Sequence, residues 1–309
     1  MAQFTLRQLE YFIAVAEAGS VTAAAQQIHL SQSALSTALV ELERALDVQL
    51  FLRHHARGVT LTPAGEQMYA ASRQLLNHAT ELADEARGLG TEVTGTLHLA
   101  CFGVLGPFVI PELLAQAASK LPELEVSTSE VDLEALVEGV VSGRFELGIG
   151  YDLTADPRLE TTTLYSLRPY ILLPREHRLA RRKRVRLEEL ADEPLALLDL
   201  PYSRDYFAGI FASAGLTPTV RFRSTSAETC RAIVARGLAY TVLNTRPRDD
   251  GRADLKATVA VEIAHDVAPL EIVLIKAAGI RPTRRMSAVE ELVIGLAKRG
   301  SIESMFGAH

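Results

Sequence analysis

The sequence predicts an α/β protein with a helical N-terminal part and a C-terminal part in which strands and helices alternate. Apolar residues in the first ninety positions repeat at helical spacing, and from about residue 96 short apolar strands alternate with amphipathic helices. Of the 309 residues, 48% are hydrophobic and 23% are charged, which is typical of a globular protein.

Composition limits the class of protein. The net charge is −6, and the first ninety residues carry six arginines, no lysine and nine acidic residues, so charge alone does not indicate nucleic-acid binding. No apolar stretch is long enough to span a membrane and the N-terminus does not resemble a secretory signal, so we expect a cytoplasmic protein with no membrane partner. Two cysteines far apart in the sequence do not make a disulfide framework.

Three helices are predicted in the first fifty residues. Apolar spacing predicts a first helix over 5–18, closed by Gly19, and Ser20 is a plausible N-cap for a second helix. Ser31 then caps a third helix that ends near residue 46 and places four leucines on one side. Helix, short turn and helix in this order are typical of a helix-turn-helix motif.

The opposite side of the third helix carries short polar side chains, Gln32, Ser33, Ser36 and Thr37. A major groove accepts such a face, because glutamine can bond an adenine edge and hydroxyls can bond bases or phosphates. The helix N-terminus at Ser31 also favours phosphate. We therefore predict that these five residues bind DNA. An amphipathic helix with a solvated polar face explains the same pattern equally well.

Residues 48–62 predict two short strands around a basic turn, which is a wing, and Thr62-Pro63 pairs an N-cap with proline at the first helical position. The stretch LFLRHHARGVTLTPAG resembles the LysR-type transcriptional regulators, in which such a segment follows the recognition helix and opens a long linker helix. The N-terminal LRQLEYFIAVAEAGSVTAAAQQIHLSQSALS resembles the same family, and the resemblance extends over the whole chain.

The recognition helix departs from the family pattern. The family often has proline where Ser33 stands, and a basic residue is common at Thr37 or Val40. Because this face is nearly uncharged, we expect the phosphate contacts to come from Arg53, Arg57 and backbone amides.

The resemblance implies three parts: a winged helix-turn-helix DNA-binding domain at 1–62, a linker and dimerisation helix at 63–90, and an effector-binding domain at 91–309. The last would be a two-lobed, periplasmic-binding-protein-like (type 2) domain, with lobe I at about 91–166 and 269–300 and lobe II at about 167–268.

A seven-residue spacing of Met68, Leu75, Leu82 and Leu89 in the linker suits helix–helix pairing, although packing on the chain's own domain would explain it too. The resemblance favours a homodimer on a pseudo-palindromic site in double-stranded DNA. The family generally forms tetramers, and RNA polymerase is a further candidate partner.

Alternation in the C-terminal part predicts parallel α/β sheets, with a hinge at 88–95 before them. Strands are predicted at 96–101, 125–130, 146–150, 168–173, 195–198, 219–223, 240–243 and 270–276, and helices at 107–121, 134–142, 204–214, 227–236 and 286–298.

Ligands of open α/β lobes bind at the carboxyl ends of strands, and the resemblance adds the space between lobes. The predicted effector-binding residues are Cys101, Phe102, Gly103, Tyr151, Tyr202, Ser203, Arg204 and Thr225. Hydroxyl-rich helix N-termini and an arginine, Arg204 or Arg223, suit a carboxylate, so we expect a small organic anion. Capping or turn formation is an equally good explanation for any one of these residues.

Several alternatives remain. Cys101 or Cys230 could sense an oxidant, but residues 198–211 lack the cysteine pair expected of a peroxide-sensing relative. A solute-binding protein would not need the first ninety residues. No GxSxG, HExxH or phosphate loop is present, so we expect no enzyme activity, no cofactor and no metal site. The basic run at 175–186 is predicted to be a solvated loop, balanced by Glu188 and Glu189.

Overall fold

The second and third helices of the N-terminal part begin directly after the serines that the sequence predicts as caps. A computed structural model describes residues 4–54, 58–86, 93–246 and 256–298. The first helices are α1 (Leu6–Ala18), α2 (Val21–Gln27) and α3 (Gln32–Leu46). Ser20 caps α2, and Ser31 Oγ accepts a hydrogen bond from the N–H of Ala34 at 3.1 Å. The three predicted helices and both caps are confirmed.

A two-stranded wing and a long helix follow, namely β1 (Phe51–His54), β2 (Gly58–Leu61) and α4 (Pro63–Ala86). The strands pair antiparallel. Thr62 caps α4, because its Oγ1 accepts a hydrogen bond from the N–H of Gly65 at 2.9 Å. The turn at 55–57, with the predicted DNA contact Arg57, lies outside the described residues, as do 87–92 of the predicted hinge.

Leucines of α3 form the centre of the N-terminal core. Leu35, Leu39 and Leu42 are at most 2% exposed, and they belong to the same cluster as buried residues of α1 and β1. The rings of Phe12 and Phe51 meet edge to face with centroids 5.3 Å apart. Burial of the leucine side leaves the opposite side of α3 on the surface, with its polar residues and the exposed Val40.

Two glycines allow the wing to approach the helices closely. Gly58 has φ +84°, and a Cβ there would lie 2.2 Å from the carbonyl oxygen of Gly19. A Cβ on Gly65 would lie 2.2 Å from the carbonyl oxygen of Leu50. Real Cβ atoms do not approach backbone oxygens this closely, so the RGV and TPAG segments need glycine for steric reasons.

Lobe I is a five-stranded sheet covered by helices. Its elements are β3 (Gly95–Phe102), α5 (Gly106–Lys120), β4 (Leu124–Val131), α6 (Leu133–Val141), β5 (Leu147–Tyr151), β6 (Leu159–Leu167), β13 (Leu270–Ala277) and α9 (Arg284–Lys298). The strand order is β4-β3-β5-β13-β6. One cluster of buried hydrophobic residues covers this lobe.

Lobe II has its own core. It contains β7 (Tyr170–Pro174), β8 (Arg184–Val185), a 3-10 turn (Leu187–Leu190), β9 (Pro194–Leu198), α7 (Ser203–Ser213), β10 (Thr219–Ser224), α8 (Ala227–Ala235), β11 (Thr241–Leu243) and β12 (Thr258–Ile263). Four strands have the order β11-β7-β12-β8, and β9 pairs with β10.

The prediction of parallel sheets is wrong in part. β3 is parallel to β4 and β5, but β13 is antiparallel to both of its neighbours, and β7 is antiparallel to β11 and β12. The chain enters β13 directly from lobe II. It lacks the helical crossover that would make β13 parallel to its neighbours in the sheet. The sequence patterns do not predict β6 or β12, and β6 lacks a continuous apolar run because it is an edge strand in which only two of nine residues are buried.

The basic run at 175–186 pairs with acidic residues of lobe II. Arg182 bonds Glu189 at 2.7 Å, Arg178 bonds Glu193 at 2.8 Å, and each of the two arginines is more than half exposed. The predicted balance by nearby acidic residues is thus confirmed for Glu189. Within the described ranges, no helix is both long and apolar enough to cross a membrane.

Candidate nucleic-acid interface and effector cleft

The polar face of α3 is open to solvent. Gln32, Ser33 and Thr37 are exposed and Ser36 is half-buried, directly opposite the buried leucines. Ser31 Oγ also lies 3.2 Å from Ser33 Oγ, and Thr37 Oγ1 donates to the carbonyl of Ser33 at 2.9 Å. These hydroxyls keep acceptor capacity, so the face offers donors and acceptors without a fixed charge.

Glu43 connects α3 to the wing. Its Oε1 accepts hydrogen bonds from the N–H groups of Leu50 at 2.7 Å and Phe51 at 3.2 Å. The carboxylate therefore fixes where β1 begins, and with it the position of the exposed Arg53. His54, next along the strand, has its Nε2 2.8 Å from Thr60 Oγ1. Glu43 carries no local sequence signal of this role, because its partners are seven and eight positions away.

Helix α4 contacts both the winged domain and lobe I. Tyr69 OH donates to Glu17 Oε1 of α1 at 2.8 Å, and Arg73 forms an ion pair with the same carboxylate. On the lobe I side, a Cβ on Gly143 would lie 3.1 Å from Cβ of Arg73. His78 Nε2 lies 3.1 Å from the carbonyl oxygen of Arg281. A groove of about 1180 Å³ runs along this junction, away from the cleft between the lobes.

Two leucines of α4 remain exposed in the chain. Leu75 is 44% exposed and Leu82 is 67% exposed. Ser72, four positions after Met68 on the same helix, is buried. Leu89 lies outside the described residues.

A narrow cleft lies between the lobes. Its lining is Phe102, Val104, Tyr151, Leu198, Ser203, Tyr206, Phe207, Leu243, Asn244, Thr245 and Leu270. The free volume is about 10 Å³, which is room for one water molecule, so the cleft in this arrangement of the lobes is too small for a larger molecule. The rings of Phe102 and Tyr151 meet edge to face at 5.4 Å, and burial raises the pKa of Tyr151.

Three of the eight predicted effector residues line this cleft, namely Phe102, Tyr151 and Ser203. Among the described residues, the cleft lining does not include Cys101, Gly103, Tyr202, Arg204 or Thr225. Tyr202 and Thr225 are exposed, and the N–H of Gly103 donates to the carbonyl of Val131.

The two arginines expected to hold a carboxylate bond Asp199 instead. Arg204 forms a close ion pair with Asp199, and Arg223 Nη1 lies 3.2 Å from Asp199 Oδ2. Although burial opposes ionisation, the hydrogen bonds from both arginines lower the pKa of Asp199. Asp199 thus holds both arginines outside the cleft lining, and because one carboxylate balances only one of the two guanidinium groups, the three side chains keep a net charge of +1.

A different arginine lies behind the cleft wall. Arg231 of α8 is 2% exposed, and its Nη2 donates to the carbonyl and hydroxyl of Thr245. Its Nη1 donates to Glu228 at 2.6 Å, and Tyr170 OH also donates to the Thr245 carbonyl, at 2.9 Å. Asn244 and Thr245 are missing from the predicted site, although polar residues just after the buried strand β11 could have indicated them.

Neither cysteine is placed for oxidant sensing. Cys101 and Cys230 are fully buried and lie in different core clusters. Burial raises the pKa of the Cys101 thiol to about 12 and that of Cys230 to about 11. Thiolates are the reactive form of cysteine, and these pKa values keep both residues protonated at neutral pH.

Comparison with known proteins identifies the family. Residues 6–66 match the family model described as "Bacterial regulatory helix-turn-helix protein, lysR family", and residues 90–296 match the model "LysR substrate binding domain". The chain belongs to the LysR family, and it is a DNA-binding transcriptional regulator with an effector-binding domain.

Relatives agree with this assignment. The chain is 30% identical to a hydrogen peroxide-inducible genes activator of Pectobacterium carotovorum subsp. carotovorum over 239 residues, 77% of this chain and 79% of the relative. The crystal structure of HinK, a LysR family regulator from Pseudomonas aeruginosa, matches with a TM-score of 0.64 and 33% identity, covering 95% and 98% of the two chains. Full-length CbnR complexed with its target DNA matches with a TM-score of 0.55 and 26% identity, covering 95% and 100%.

Proposed function

We propose that this regulator reads DNA bases through the exposed face of α3 and is switched by a small organic anion bound between the lobes. The observation that carries the first part is the contrast across α3. Leu35, Leu39 and Leu42 are at most 2% exposed, whereas Gln32, Ser33 and Thr37 face solvent, as does Arg53 of the wing. Direct base recognition needs such accessible donors and acceptors on a rigidly held helix.

Pairing of two chains would present two recognition helices to one duplex. Leu75 and Leu82 are large apolar side chains left exposed on α4, and a second copy of α4 would cover them. We therefore propose a homodimer on a pseudo-palindromic site, with assembly to a tetramer as a further step. The regulator would act in the cytoplasm, where its DNA lies, and RNA polymerase would be a further partner.

Switching is proposed to run through α4. An effector that fits between the lobes favours one lobe arrangement, and only a difference in affinity between arrangements can shift the population. Lobe I touches α4 at Gly143 and Arg281, and α4 touches α1 through Tyr69 and Glu17. A change in lobe I would thus alter the angle or spacing of two recognition helices on DNA.

Base reading is tested by selection from random duplexes with the full-length chain. We expect enrichment of a two-fold symmetric sequence, and we expect Gln32→Ala to weaken its binding about tenfold, the lower end for one lost bidentate base contact. The same substitution at Gln67, exposed on α4, is the matched control and should change neither affinity nor preference. A selection that enriches no sequence would contradict the proposal.

Effector control is tested by footprinting the selected site with and without a panel of aromatic and aliphatic acids. We expect at least one acid to change the protected region or its bend. If none does while the unliganded chain still protects its site, the anionic effector is wrong and DNA reading stands.

A further inference from the structure

The cleft contains a buried hydrogen-bond acceptor that no described protein group satisfies. Asn244 is 4% exposed and lines the cleft, and its Oδ1 has no hydrogen-bond partner among the described residues. Leaving such an acceptor unpaired in a buried site is energetically unfavourable. A ligand that donates a hydrogen bond to this oxygen removes that penalty.

The orientation of the Asn244 amide follows from its neighbour. Tyr206 OH donates its single hydrogen to the carbonyl of Ala268 at 3.1 Å. The phenol oxygen can then only accept, and it accepts from Asn244 Nδ2 at 3.1 Å. The free end of the amide is therefore the oxygen, and the cleft requires a donor at this point.

A positive potential lies close to the same point. Helix α7 begins at Ser203, which is 3% exposed and lines the cleft, and no side chain caps this helix. The N–H groups of Ser203 and Arg204 already donate to the carbonyls of Pro201 and Leu200, so this end attracts an anion through the helix dipole, which the exposed Asp205 of the first turn offsets only in part. Ser203 and Tyr206 are three positions apart on one face of α7, so the anion position and the Asn244 oxygen are near each other. Arg231, buried behind Thr245, is ion-paired with Glu228 at 2.6 Å and therefore adds no unpaired charge on the lobe II side.

The opposite wall is apolar and the space is small. Lobe I contributes Phe102 and Val104, and the free volume is about 10 Å³ before the lobes separate. Every additional ligand atom requires further separation of two packed lobes, which favours a compact molecule.

We infer that the effector is a compact carboxylic acid that also carries a hydroxyl or amino group, and that this group donates a hydrogen bond to Asn244 Oδ1. The inference rests on the proposed anionic effector and narrows its class. The carboxylate lies at the N-terminus of α7, and the hydrocarbon part packs on Phe102 and Val104.

Calorimetry on the full-length chain with matched acids tests this inference. The probes are propanoate against lactate and alanine, and benzoate against 2-hydroxybenzoate. In at least one set, we expect the member with the added donor to bind about tenfold more tightly than its parent acid, because only that member satisfies the buried oxygen. Lactamide, which keeps the hydroxyl and loses the charge, should bind more weakly than lactate.

Two variants locate the effect. Asn244→Leu should make parent and substituted acid bind equally, whereas Ser203→Ala should weaken both and leave their ratio unchanged. Because the ratio is first measured in the unchanged chain, the test does not depend on the folding of a variant.

The outcomes separate the two proposals. If acids bind and alter the footprint but the added donor gives no advantage, this inference fails and the anionic effector stands. The inference also fails, with the anionic effector intact, if the advantage survives in Asn244→Leu. If no acid binds, the anionic effector and this inference fail together.

Discussion

The DNA-binding unit and the effector cleft treat polar side chains in opposite ways. On α3, Gln32, Ser33 and Thr37 stay exposed above a leucine core. At the cleft, Asn244 lines the wall and Arg231 lies behind it, and both are buried and bonded mainly to partners within lobe II. The exposed polar face of α3 is not destabilising in the absence of DNA, because water forms hydrogen bonds with its donors and acceptors. A buried acceptor remains costly until a ligand of matching chemistry arrives, which makes the cleft selective.

The two regions also differ in how they are held in place. The winged domain depends on backbone approaches at Gly58 and Gly65 that exclude any side chain, so its geometry is rigid. The cleft lies between two separate hydrophobic clusters and can open by movement of one relative to the other. A ligand-controlled regulator needs a DNA-binding domain of fixed geometry joined to a ligand-binding domain that can change its arrangement.

The largest loss of unfolding free energy is expected from Gly65→Ala, which tests whether the winged domain depends on close backbone packing. The new Cβ would lie 2.2 Å from the carbonyl oxygen of Leu50, so α4 and the wing must move apart. We expect the winged domain to lose about 3 kcal/mol of unfolding free energy, at the upper end of overpacking costs, and DNA binding to weaken with it. Chemical denaturation with a fluorescence probe in this domain measures the loss.

Gly209→Ala is the matched control for that measurement. Gly209 is exposed within α7, and a Cβ there meets nothing within 4 Å. Alanine should therefore stabilise lobe II by about 0.5 kcal/mol. Equal effects of the two substitutions would show that close approach at Gly65 does not matter.

A smaller loss is expected from Glu43→Ala. This substitution leaves the N–H groups of Leu50 and Phe51 without the carboxylate that they bond at 2.7 and 3.2 Å. We expect the winged domain to lose about 2 kcal/mol, as for hydrogen bonds to a charged group, with weaker DNA binding because β1 and Arg53 are displaced. Glu41→Ala, an exposed position on the same helix, should change stability little. Unaltered DNA affinity in Glu43→Ala would argue against its positioning of the wing.

The smallest effect is expected from removing both thiols. Because burial raises the pKa of Cys101 to about 12 and of Cys230 to about 11, both remain protonated below about pH 10 and react slowly. The folded chain at pH 8 should resist iodoacetamide, whereas the chain in denaturant should react at both positions. Alanine at 101 and 230 should leave the footprint unchanged with or without peroxide. A peroxide response that disappears in this double variant would instead establish a thiol sensor.

Much of the DNA-binding unit can be predicted from the sequence because its determinants are local. Ser20, Ser31 and Thr62 cap helices within three residues of themselves, and the leucine side of α3 follows from helical periodicity. In the effector domain, local patterns predict the strands that have a continuous apolar run and the helices that have a clear helical periodicity. They miss β6, whose pairing with β13 joins residues about a hundred positions apart.

Local patterns predict the cleft less well. Three of the eight predicted residues line it, and the predicted arginines, Arg204 and Arg223, are engaged by Asp199. Strand ends indicate which edge of a sheet is open, but they do not show which side chain is buried there or what it bonds.

The family, the helix-turn-helix with its wing and the polar face of α3 can all be read from the sequence, because the family motifs are contiguous and because caps and helical periodicity act over a few residues. The contacts of Asn244 with Tyr206 and of Arg231 with Thr245 are visible only in the folded chain. Those pairs are 38 and 14 residues apart, and they form only because separately folded strands and helices of lobe II pack together.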